Sequence, residues 1–314
     1  MRIVERAEIV ARIDLDQAVQ RIEEGFVAFS NGKVQVPPVQ MFAFAAANGD
    51  CCVKSAFIEG SETFTVKVST GFYDNPGKGL PSNDGLMLVL SASDGRPLAL
   101  LQDQGWLTGM RTALAGRIAA RLLAPREVYA IGILGTGMQA RMQLEQLRPV
   151  TACRRVIVWG RNDTELASYS DFAAELGFDV QVTREAKTLA EGANLIVCTT
   201  PSRAALLDSE WVRPGTHITA VGADAPGKQE LDPLLVARAD RIIVDSVVQC
   251  RQYGEVSHAL KAGLIEEAQL GEIGALLDGR IAGRTSDDEI TLVDLTGVAV
   301  QDAQIALCAL QSLS

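Results

Sequence analysis

A glycine-rich turn between an apolar run and a helical pattern limits the possible folds of this chain more than any other feature. The apolar run 130–134 leads directly into Gly135-Thr136-Gly137-Met138-Gln139-Ala140, which opens a predicted helix. With this spacing the first glycine permits a tight bend and the second lets the backbone approach a pyrophosphate. The small residue at the third position keeps helix and strand close. Because a helix N-terminus also attracts phosphate, these six residues predict a bound dinucleotide, NAD(H) or NADP(H).

Short apolar strands and helical patterns alternate along the chain after this turn. Strands are predicted at residues 129–134, 155–159, 179–182, 195–199, 217–221 and 241–244. Such alternation is typical of a parallel, doubly wound sheet. The sequence therefore predicts an α/β dinucleotide-binding domain over residues 119–297.

The residues before this domain follow a different pattern. A helix is predicted after Asp14, a candidate N-cap, and apolar, β-branched runs follow at 34–44, 51–58, 64–69 and 86–91. Gly, Asn, Asp and Pro separate these runs, as in an antiparallel sheet. A helix is predicted over Trp106–Leu123, and an amphipathic helix at 299–313 is expected to pack back on this part. We expect a β-rich α+β domain of residues 1–118 with the return of 298–314.

Composition excludes several classes of function. The 314 residues carry 29 Lys and Arg against 39 Asp and Glu, a formal net charge of -10, whereas nucleic acids and anionic membranes select basic surfaces. The six cysteines and two histidines lack the short spacing of zinc ligands, so we expect no metal. No apolar run reaches about 18 residues and no signal-peptide pattern opens the chain. We therefore expect a cytoplasmic protein with no nucleic-acid or membrane partner.

The end of the second predicted parallel strand bears on the choice between NAD and NADP. An acidic residue there would bind the ribose 2′-hydroxyl of NAD. In this chain Gly160, Arg161 and Asn162 precede the first acid, Asp163. Arg161 is suited to a 2′-phosphate and slightly favours NADP. An Asp163 that reaches the ribose would favour NAD, so both cofactors remain open.

Five motifs occur in the order that one known family shows. They are Thr65-Val66-Lys67-Val68, Leu107-Thr108-x-x-Arg111-Thr112-Ala113, the 135–140 turn, the segment 222–232 and Gly297-x-Ala299-x-Gln301-Asp302. Together they resemble the ornithine cyclodeaminase/mu-crystallin family over essentially the whole chain, and most of all its imino-acid reductase members. The resemblance implies a Rossmann-type domain, a β-rich substrate and dimerisation domain, and a homodimer. Activities known in the family are ornithine cyclodeamination, alanine dehydrogenation, and reduction of cyclic ketimines or of iminosuccinate.

Two cationic residues of these motifs suit the chemistry of an α-imino acid. Such a substrate accepts hydride at its imino carbon, and its carboxylate needs a positive partner while its nitrogen needs a proton donor. Arg111 can hold a carboxylate bidentately, and Lys67 can supply a point charge and a proton. The alternative for each residue is a structural ion pair.

Further site residues follow from the resemblance. Asp224 lies in the glycine-rich loop after the strand 217–221 and is suited to general acid/base catalysis. The resemblance implies this role for it, because the matching aspartate of the cyclodeaminases has it. Its alternative is an Asx turn or a helix cap ahead of Pro226. The resemblance also places Thr296 and Gly297 near the nicotinamide and the substrate, and Thr112 near the cofactor.

One position departs from the family pattern. Many relatives carry an arginine shortly after a proline-rich strand entry, where it holds the substrate carboxylate, and this chain has Gln40 there, after Pro37 and Pro38. Glutamine keeps hydrogen bonding but lacks the charge. We expect Gln40 to bind substrate in a mode different from that of the ornithine enzymes.

The favoured hypothesis is an NAD(P)H-dependent reductase of a small α-imino acid, reversible as an amino-acid dehydrogenase. The overall resemblance points to iminosuccinate, reduced to aspartate, and Lys67, Arg111 and Lys78 are candidate cations for a dicarboxylate. A cyclodeaminase is the alternative, which Asp224 favours and Gln40 disfavours. A non-catalytic dinucleotide-binding relative is the third possibility, and the cations and the acid together count against it.

Overall fold

The computed structural model describes residues 1–313, which form two compact units. Unit 1 is Met1–Arg111 together with the segment that begins at Val298, and unit 2 is Thr112–Gly297. The first boundary falls inside the helix Trp106–Leu123. The sequence-based boundary at residue 118 lies later in that same helix.

Strands and helices are numbered here along the chain. The strands are β1 (Arg2–Glu5), β2 (Val34–Gln35), β3 (Gln40–Phe44), β4 (Gly49–Ile58), β5 (Thr63–Phe72), β6 (Asn83–Ser91), β7 (Pro97–Gln102), β8 (Ile131–Leu134), β9 (Arg155–Trp159), β10 (Asp179–Thr183), β11 (Leu195–Cys198), β12 (Arg203–Leu207), β13 (His217–Ala220), β14 (Gln229–Leu231), β15 (Arg241–Val244), β16 (Leu270–Glu272) and β17 (Thr291–Asp294). The α-helices are α1 (Arg6–Arg12), α2 (Leu15–Ser30), α3 (Trp106–Leu123), α4 (Met138–Leu147), α5 (Asp163–Glu175), α6 (Ala186–Gly192), α7 (Pro233–Arg238), α8 (Val247–Cys250), α9 (Glu255–Lys261), α10 (Ile273–Leu277) and α11 (Ala299–Ser312).

Unit 1 is built on a mixed sheet in the order β1-β7-β6-β5-β4-β2, with β3 also paired to β4. The strands from β2 to β7 pair antiparallel, as the turn residues between them predict, and β1 joins β7 in parallel. Asp14 caps α2 as predicted, because its Oδ1 accepts from the N–H groups of Asp16 and Gln17.

The two faces of this sheet differ in what covers them. Successive residues of a strand point to opposite faces, and one face carries buried residues that include Ala56, Thr65 and Met87. Ala299 and Ala303 of α11 pack against Ala56 there, so we name it the helix-covered face. The open face carries Ser55, Phe57, Phe64 and Val66, which are only partly buried.

The final helix is more deeply buried than its sequence pattern predicts. An amphipathic helix was expected, but every residue from Ala299 to Ala306 is buried. The reason is that α11 packs against β4 and β5 and also against α2. At Gly25 of α2, a Cβ would lie 2.9 Å from the Gln304 Cγ, so the two helices are in close contact.

Unit 2 is an eight-stranded parallel sheet in the order β10-β9-β8-β11-β13-β17-β15-β16. The fold class predicted from strand–helix alternation is therefore confirmed. Apolar clusters lie on both faces, one including Leu144 and Tyr169 and the other Leu189, Leu235 and Val256. The strand order reverses between β8 and β11, and in such sheets ligands bind at the carboxyl ends beside this reversal.

Within the described part of the chain, no helix is both long and apolar enough to cross a membrane. Residues 1–313 also contain no group of three or more His, Cys, Asp and Glu side chains placed to hold a metal ion.

Candidate functional site

The predicted cofactor turn joins β8 to α4 at the reversal in strand order. Gly135 has a φ of +118°, and a Cβ there would come within 2.6 Å of the Thr199 Oγ1, so glycine is required. Gly137 is the N-cap of α4, and no described side chain caps the first turn of this helix. A Cβ on Gly137 would meet no described atom within 4 Å. The uncapped N–H groups and the open space beside Gly137 fit the pyrophosphate of a dinucleotide.

The other predicted residues of this turn differ in burial. Thr136 and Gln139 are half-buried and Met138 is exposed. Ala140 is fully buried, and its carbonyl accepts a hydrogen bond of 2.9 Å from the Tyr169 hydroxyl. Thr112, on α3, accepts at its carbonyl from the Gln143 side chain of α4 at 3.2 Å, which ties it to the helix that would face the phosphates.

A buried carboxylate, Glu230, braces the loops beside this turn. One of its oxygens accepts from the Thr200 N–H at 2.6 Å, after β11, and the other from the Gly222 N–H at 3.1 Å, after β13. Glu255 in turn accepts from the N–H groups of Glu230 and Leu231 at 2.7 and 3.0 Å. The sequence motif 222–232 therefore includes a loop-bracing residue that sequence reasoning did not single out.

Raising the pH is expected to weaken unit 2 through this pair. Burial raises the pKa of Glu230 and of Glu255 from 4.5 to about 8, against hydrogen bonds that favour ionisation. Between these values the folded state binds more protons than the unfolded state, so its stability falls as the pH rises. We expect the free energy of unfolding in urea to fall by several kcal/mol between about pH 5 and pH 8.5. The unfolding free energy should depend less on pH in Glu230→Gln, and as in the parent protein in the exposed control Glu210→Gln. An equal pH dependence in all three proteins would contradict the assignment.

The ends of β9 and β10 present two arginines and one acid. The Arg161 guanidinium carbon lies 5.9 Å from the centre of the Trp159 ring. The Arg161 carbonyl accepts from Arg184 at 3.1 Å, and Arg184 lies 3.5 Å from the exposed carboxylate of Asp163. Asn162 caps α5. The arrangement presents both positive charge for a 2′-phosphate and a carboxylate for a ribose hydroxyl.

The predicted cations of unit 1 meet on one carboxylate. The Lys67 Nζ lies 2.9 Å from Asp302 Oδ2 and 3.0 Å from Oδ1, and the Arg111 Nε lies 3.0 Å from Oδ1. The Arg111 Nη1 also donates to the Gln301 side-chain oxygen at 2.7 Å. All four side chains are buried. Strand β5, the start of α3 and the final helix α11 thus each contribute to one polar cluster.

Burial and charge set the protonation of this cluster. Burial lowers the pKa of Lys67 from 10.5 to about 8, although Asp302 acts to raise it. Burial would raise the pKa of Asp302, but Lys67 and Arg111 together hold it below its ordinary value. Lys67 is therefore mostly protonated at neutral pH yet can release its proton readily, as a general acid must.

Asp224 and the 296–297 segment lie in unit 2. The Asp224 carboxylate is 54% exposed and lies 2.6 Å from the Lys228 Nζ. The Thr296 hydroxyl is buried, donates to Asp245 at 3.0 Å and accepts from Gln249 at 2.9 Å. Gly297, with a φ of +82°, donates its N–H to Asp245 at 2.6 Å. The Thr296 hydroxyl is thus held by protein groups, whereas Asp224 is open to solvent.

The register does not bring Gln40 to the cation cluster. Gln40 pairs with Val53 of β4, one residue from Lys54, and Lys54 pairs with Lys67 of β5. Because neighbouring residues alternate between faces, Gln40 lies on the open face and Lys67 on the helix-covered face. Gln40 is also exposed.

Two residues that sequence reasoning passed over share the face of Lys67. Lys54 lies directly opposite Lys67, and Cys52 lies two residues before Lys54, opposite Ser69. The charge of Lys54 also acts on the pKa of Lys67 and of Asp302. The alternation of β4 alone would have grouped Cys52 with Lys54, but only the pairing register places both beside Lys67.

The family profile for the ornithine cyclodeaminase/mu-crystallin family matches residues 1–312 of this chain. A protein of Sinorhizobium fredii, described as an uncharacterized cyclodeaminase, is 39% identical over 99% of this chain and 95% of its own length. The iminosuccinate reductase of Paracoccus denitrificans is 35% identical over 98% of this chain and 94% of its own.

Solved structures share the whole fold. The Paracoccus denitrificans iminosuccinate reductase, in complex with NAD+, superposes with a TM-score of 0.91 at 34% identity, covering 99% of this chain and 96% of that one. An archaeal alanine dehydrogenase dimer with bound NAD superposes with a TM-score of 0.92 at 34% identity, covering 99% and 95%.

Proposed function

This chain belongs to the ornithine cyclodeaminase/mu-crystallin family, and we propose that it reduces the C=N bond of a small α-imino acid with NADH, iminosuccinate being its substrate and aspartate the product. It is an NAD-dependent oxidoreductase, as are relatives that match it along nearly their whole length. The reaction is reversible as an amino-acid dehydrogenation.

The observation that carries this proposal is the buried pair of cations on Asp302. Two cations against one carboxylate leave positive charge in a buried place, and an anionic ligand compensates such charge. The planar Arg111 guanidinium is suited to a carboxylate, while Lys67 offers a point charge. An α-imino acid supplies the carboxylate, and its nitrogen needs the proton that Lys67 holds.

The atoms and electrons of this imine reduction balance with NADH and the side chains of the cation cluster. When bound, NADH supplies a hydride that forms the new C–H bond at the imino carbon, while the C=N π electrons move to the nitrogen. The Lys67 Nζ gives its proton to that nitrogen, and Arg111 holds the α-carboxylate. Asp302 keeps both cations in place and holds Lys67 in its protonated form.

Asp224 is proposed to move a second proton, to or from the amine. Its exposure and its ion pair with Lys228 keep the carboxylate in contact with solvent, with which it can exchange the proton.

Absorbance of reduced nicotinamide tests the proposal directly. The protein is mixed with NADH or NADPH and with oxaloacetate, pyruvate or glyoxylate, each with and without ammonia. Oxidation that needs both ammonia and oxo acid, fastest with oxaloacetate and NADH, is the expected result. A strong preference for NADPH would instead assign Arg161 to a 2′-phosphate, and oxidation without ammonia would overturn imine reduction.

A cyclodeaminase is the second candidate, favoured by the presence of Asp224 and by the cyclodeaminase description of the Sinorhizobium fredii relative. Such an enzyme oxidises an amino acid, closes a ring with loss of ammonia and reduces the ring again. Ammonia released from ornithine or lysine with only catalytic NAD+, and no net NADH formation, would select it over the reductase.

We also propose a homodimer in the cytoplasm. The open face of unit 1 surrounds a depression of about 360 Å³ lined by Phe57, Phe64 and Val66 among others, and its apolar side chains suit a second copy of the chain. The neighbouring alanine dehydrogenase is a dimer. Six free cysteines suit a reducing compartment.

Light scattering after size exclusion is expected to give twice the chain mass. Phe64→Glu should give a folded monomer, because a charge cannot be buried in an apolar interface without a partner. Val182→Glu, at an exposed position of β10, should leave the dimer intact. A monomeric parent protein, or a dimer that survives Phe64→Glu, would contradict this interface.

A further inference from the structure

We propose that Gln301 belongs to the site that binds the α-carboxylate of the substrate: its side-chain oxygen orients the Arg111 guanidinium, and its amide nitrogen donates to the same carboxylate. The inference rests on the proposed function, because it adds a residue to the carboxylate site at Arg111. Gln301 stands in one of the five sequence motifs, but sequence reasoning gave it no role.

Gln301 and Asp302, neighbours in the first turn of α11, hold two different nitrogens of Arg111. The Arg111 Nη1 donates to the Gln301 Oε1 at 2.7 Å, and the Arg111 Nε lies 3.0 Å from the Asp302 Oδ1. Because a guanidinium is planar and its donors have a fixed geometry, contacts at two of its nitrogens fix its orientation. Neither contact uses Nη2, so this end of the guanidinium is left for a ligand.

The contact with Arg111 also decides which way the Gln301 amide faces. The reverse orientation would place the amide N–H groups against guanidinium N–H groups, which cannot accept. The oxygen is therefore the atom that faces Nη1. Gln301 is only 1% exposed, and within residues 1–313 its Nε2 has no hydrogen-bond partner. Buried polar groups are nearly always paired, so this nitrogen indicates an acceptor that a ligand brings.

A carboxylate is the acceptor that fits this position. The Nε2 and Oε1 of Gln301 are bonded to the same carbon, so an acceptor of Nε2 lies beside the Arg111 guanidinium. An ionised carboxylate has two oxygens that accept several hydrogen bonds, enough for Nη2 and Nε2 together. The Arg111 side chain keeps 7% of its surface exposed although its Nε is enclosed, so the site is open to a small anion.

The two buried acids that act on the cluster do not take this place. Asp302 is occupied by Lys67 and by the Nε of Arg111. Asp103 accepts at Oδ2 from a backbone N–H at 2.7 Å, and its Oδ1 has no partner among the described residues. Neither acid therefore accepts from the Gln301 nitrogen, which leaves the α-carboxylate at Arg111 as its acceptor.

Three variants of α11 separate this role from a general effect. Gln301→Met removes both polar atoms at similar length. Gln301→Glu keeps an acceptor for Arg111 but replaces the donor by a negative charge. Gln304→Met is the matched control, because it makes the first change at another buried glutamine of the same helix, one that packs on Gly25.

Succinate and propionate, which have carboxylates but no imino group, are suitable non-reacting probes. Calorimetry measures their Kd with NAD+ present. Gln301→Met is expected to raise the Kd of the bound probe about 10- to 100-fold, the effect of losing a hydrogen bond to a charged group. Gln301→Glu should raise it at least as much, because the new carboxylate repels the anion, and Gln304→Met should leave it unchanged. An unchanged Kd in Gln301→Met, or a parent protein that binds neither probe, would overturn the inference.

Urea unfolding and steady-state kinetics keep the possible outcomes apart. Gln301→Glu should keep the urea midpoint of the parent protein, since the new carboxylate pairs with Arg111, so its loss of binding is not a loss of fold. In imine reduction, Gln301→Met should raise KM more than it lowers kcat, because Lys67 gives the proton. A lower midpoint in Gln301→Met with an unchanged Kd would make Gln301 structural only and overturn the inference. If no imino acid is reduced, the proposed function falls, and probe binding still decides the inference.

Discussion

Replacing Lys67 by methionine is expected to lower kcat for imine reduction by about 10²- to 10⁴-fold, the range that a positioned general acid contributes. Lys67 is the one cation of the cluster with a pKa of about 8, so its loss removes the proton that the substrate nitrogen takes. The glycine-rich turn belongs to unit 2, so the Kd for NADH, measured by fluorescence, should stay within about threefold of the parent value.

Lys67→Arg distinguishes the two roles of this side chain. An arginine keeps the charge that holds the α-carboxylate but does not release its proton at any ordinary pH. We expect KM to recover while kcat stays low. Recovery of kcat in Lys67→Arg, or loss of NADH binding in Lys67→Met in step with catalysis, would show that Lys67 is not the proton donor.

Replacing Asp302 by asparagine is expected to destabilise the protein by about 3 kcal/mol, because it leaves buried cations without their carboxylate. Asp302 contacts both Lys67 and Arg111, and it acts as a positioning residue. The loss should appear in the urea midpoint, whereas Asp171→Asn, at an exposed position of α5, should leave the midpoint unchanged.

The same variant should also change the pH profile. Imine reduction needs Lys67 protonated, so kcat of the parent enzyme should fall as the pH rises through about 8. Asp302 raises the pKa of Lys67, and its removal should move this fall to lower pH. If Asp302→Asn is destabilised but its kcat has the same pH profile as the parent enzyme, Asp302 has only a structural role.

The parallel sheet was predictable because its signals are local. Each strand of unit 2 is a short apolar run next to a helical pattern, and the 135–140 turn has a spacing with a physical meaning. The α3 bounds also match the prediction, Trp106–Leu123. Unit 1 was harder: β1 and β7 are short, and their parallel pairing joins residues such as Val4 and Leu101 that are far apart in the chain.

The cation cluster was predictable only in part. Lys67 and Arg111 were identified by chemical type and by resemblance, and the structure brings them together. Their partner Asp302 stood in a recognised motif without a role, because nothing local indicates which residue of α11 faces β5. The sequence did not show that Gln40 and Lys54 lie on opposite faces of the sheet. The side on which a residue lies depends on register, and a break at Pro37 and Pro38 hides the register from the sequence.

The return of α11 to unit 1 has a consequence for how the protein is made. Lys67 and Asp302 are 235 positions apart, and all of unit 2 is synthesised between them. While the ribosome is still adding unit 2, α2 and the sheet lack the helix that covers them, and Lys67 and Arg111 lack their carboxylate. Unit 2 has all of its strands before α11 appears, so it can fold first. Unit 1, although it begins the chain, is completed last.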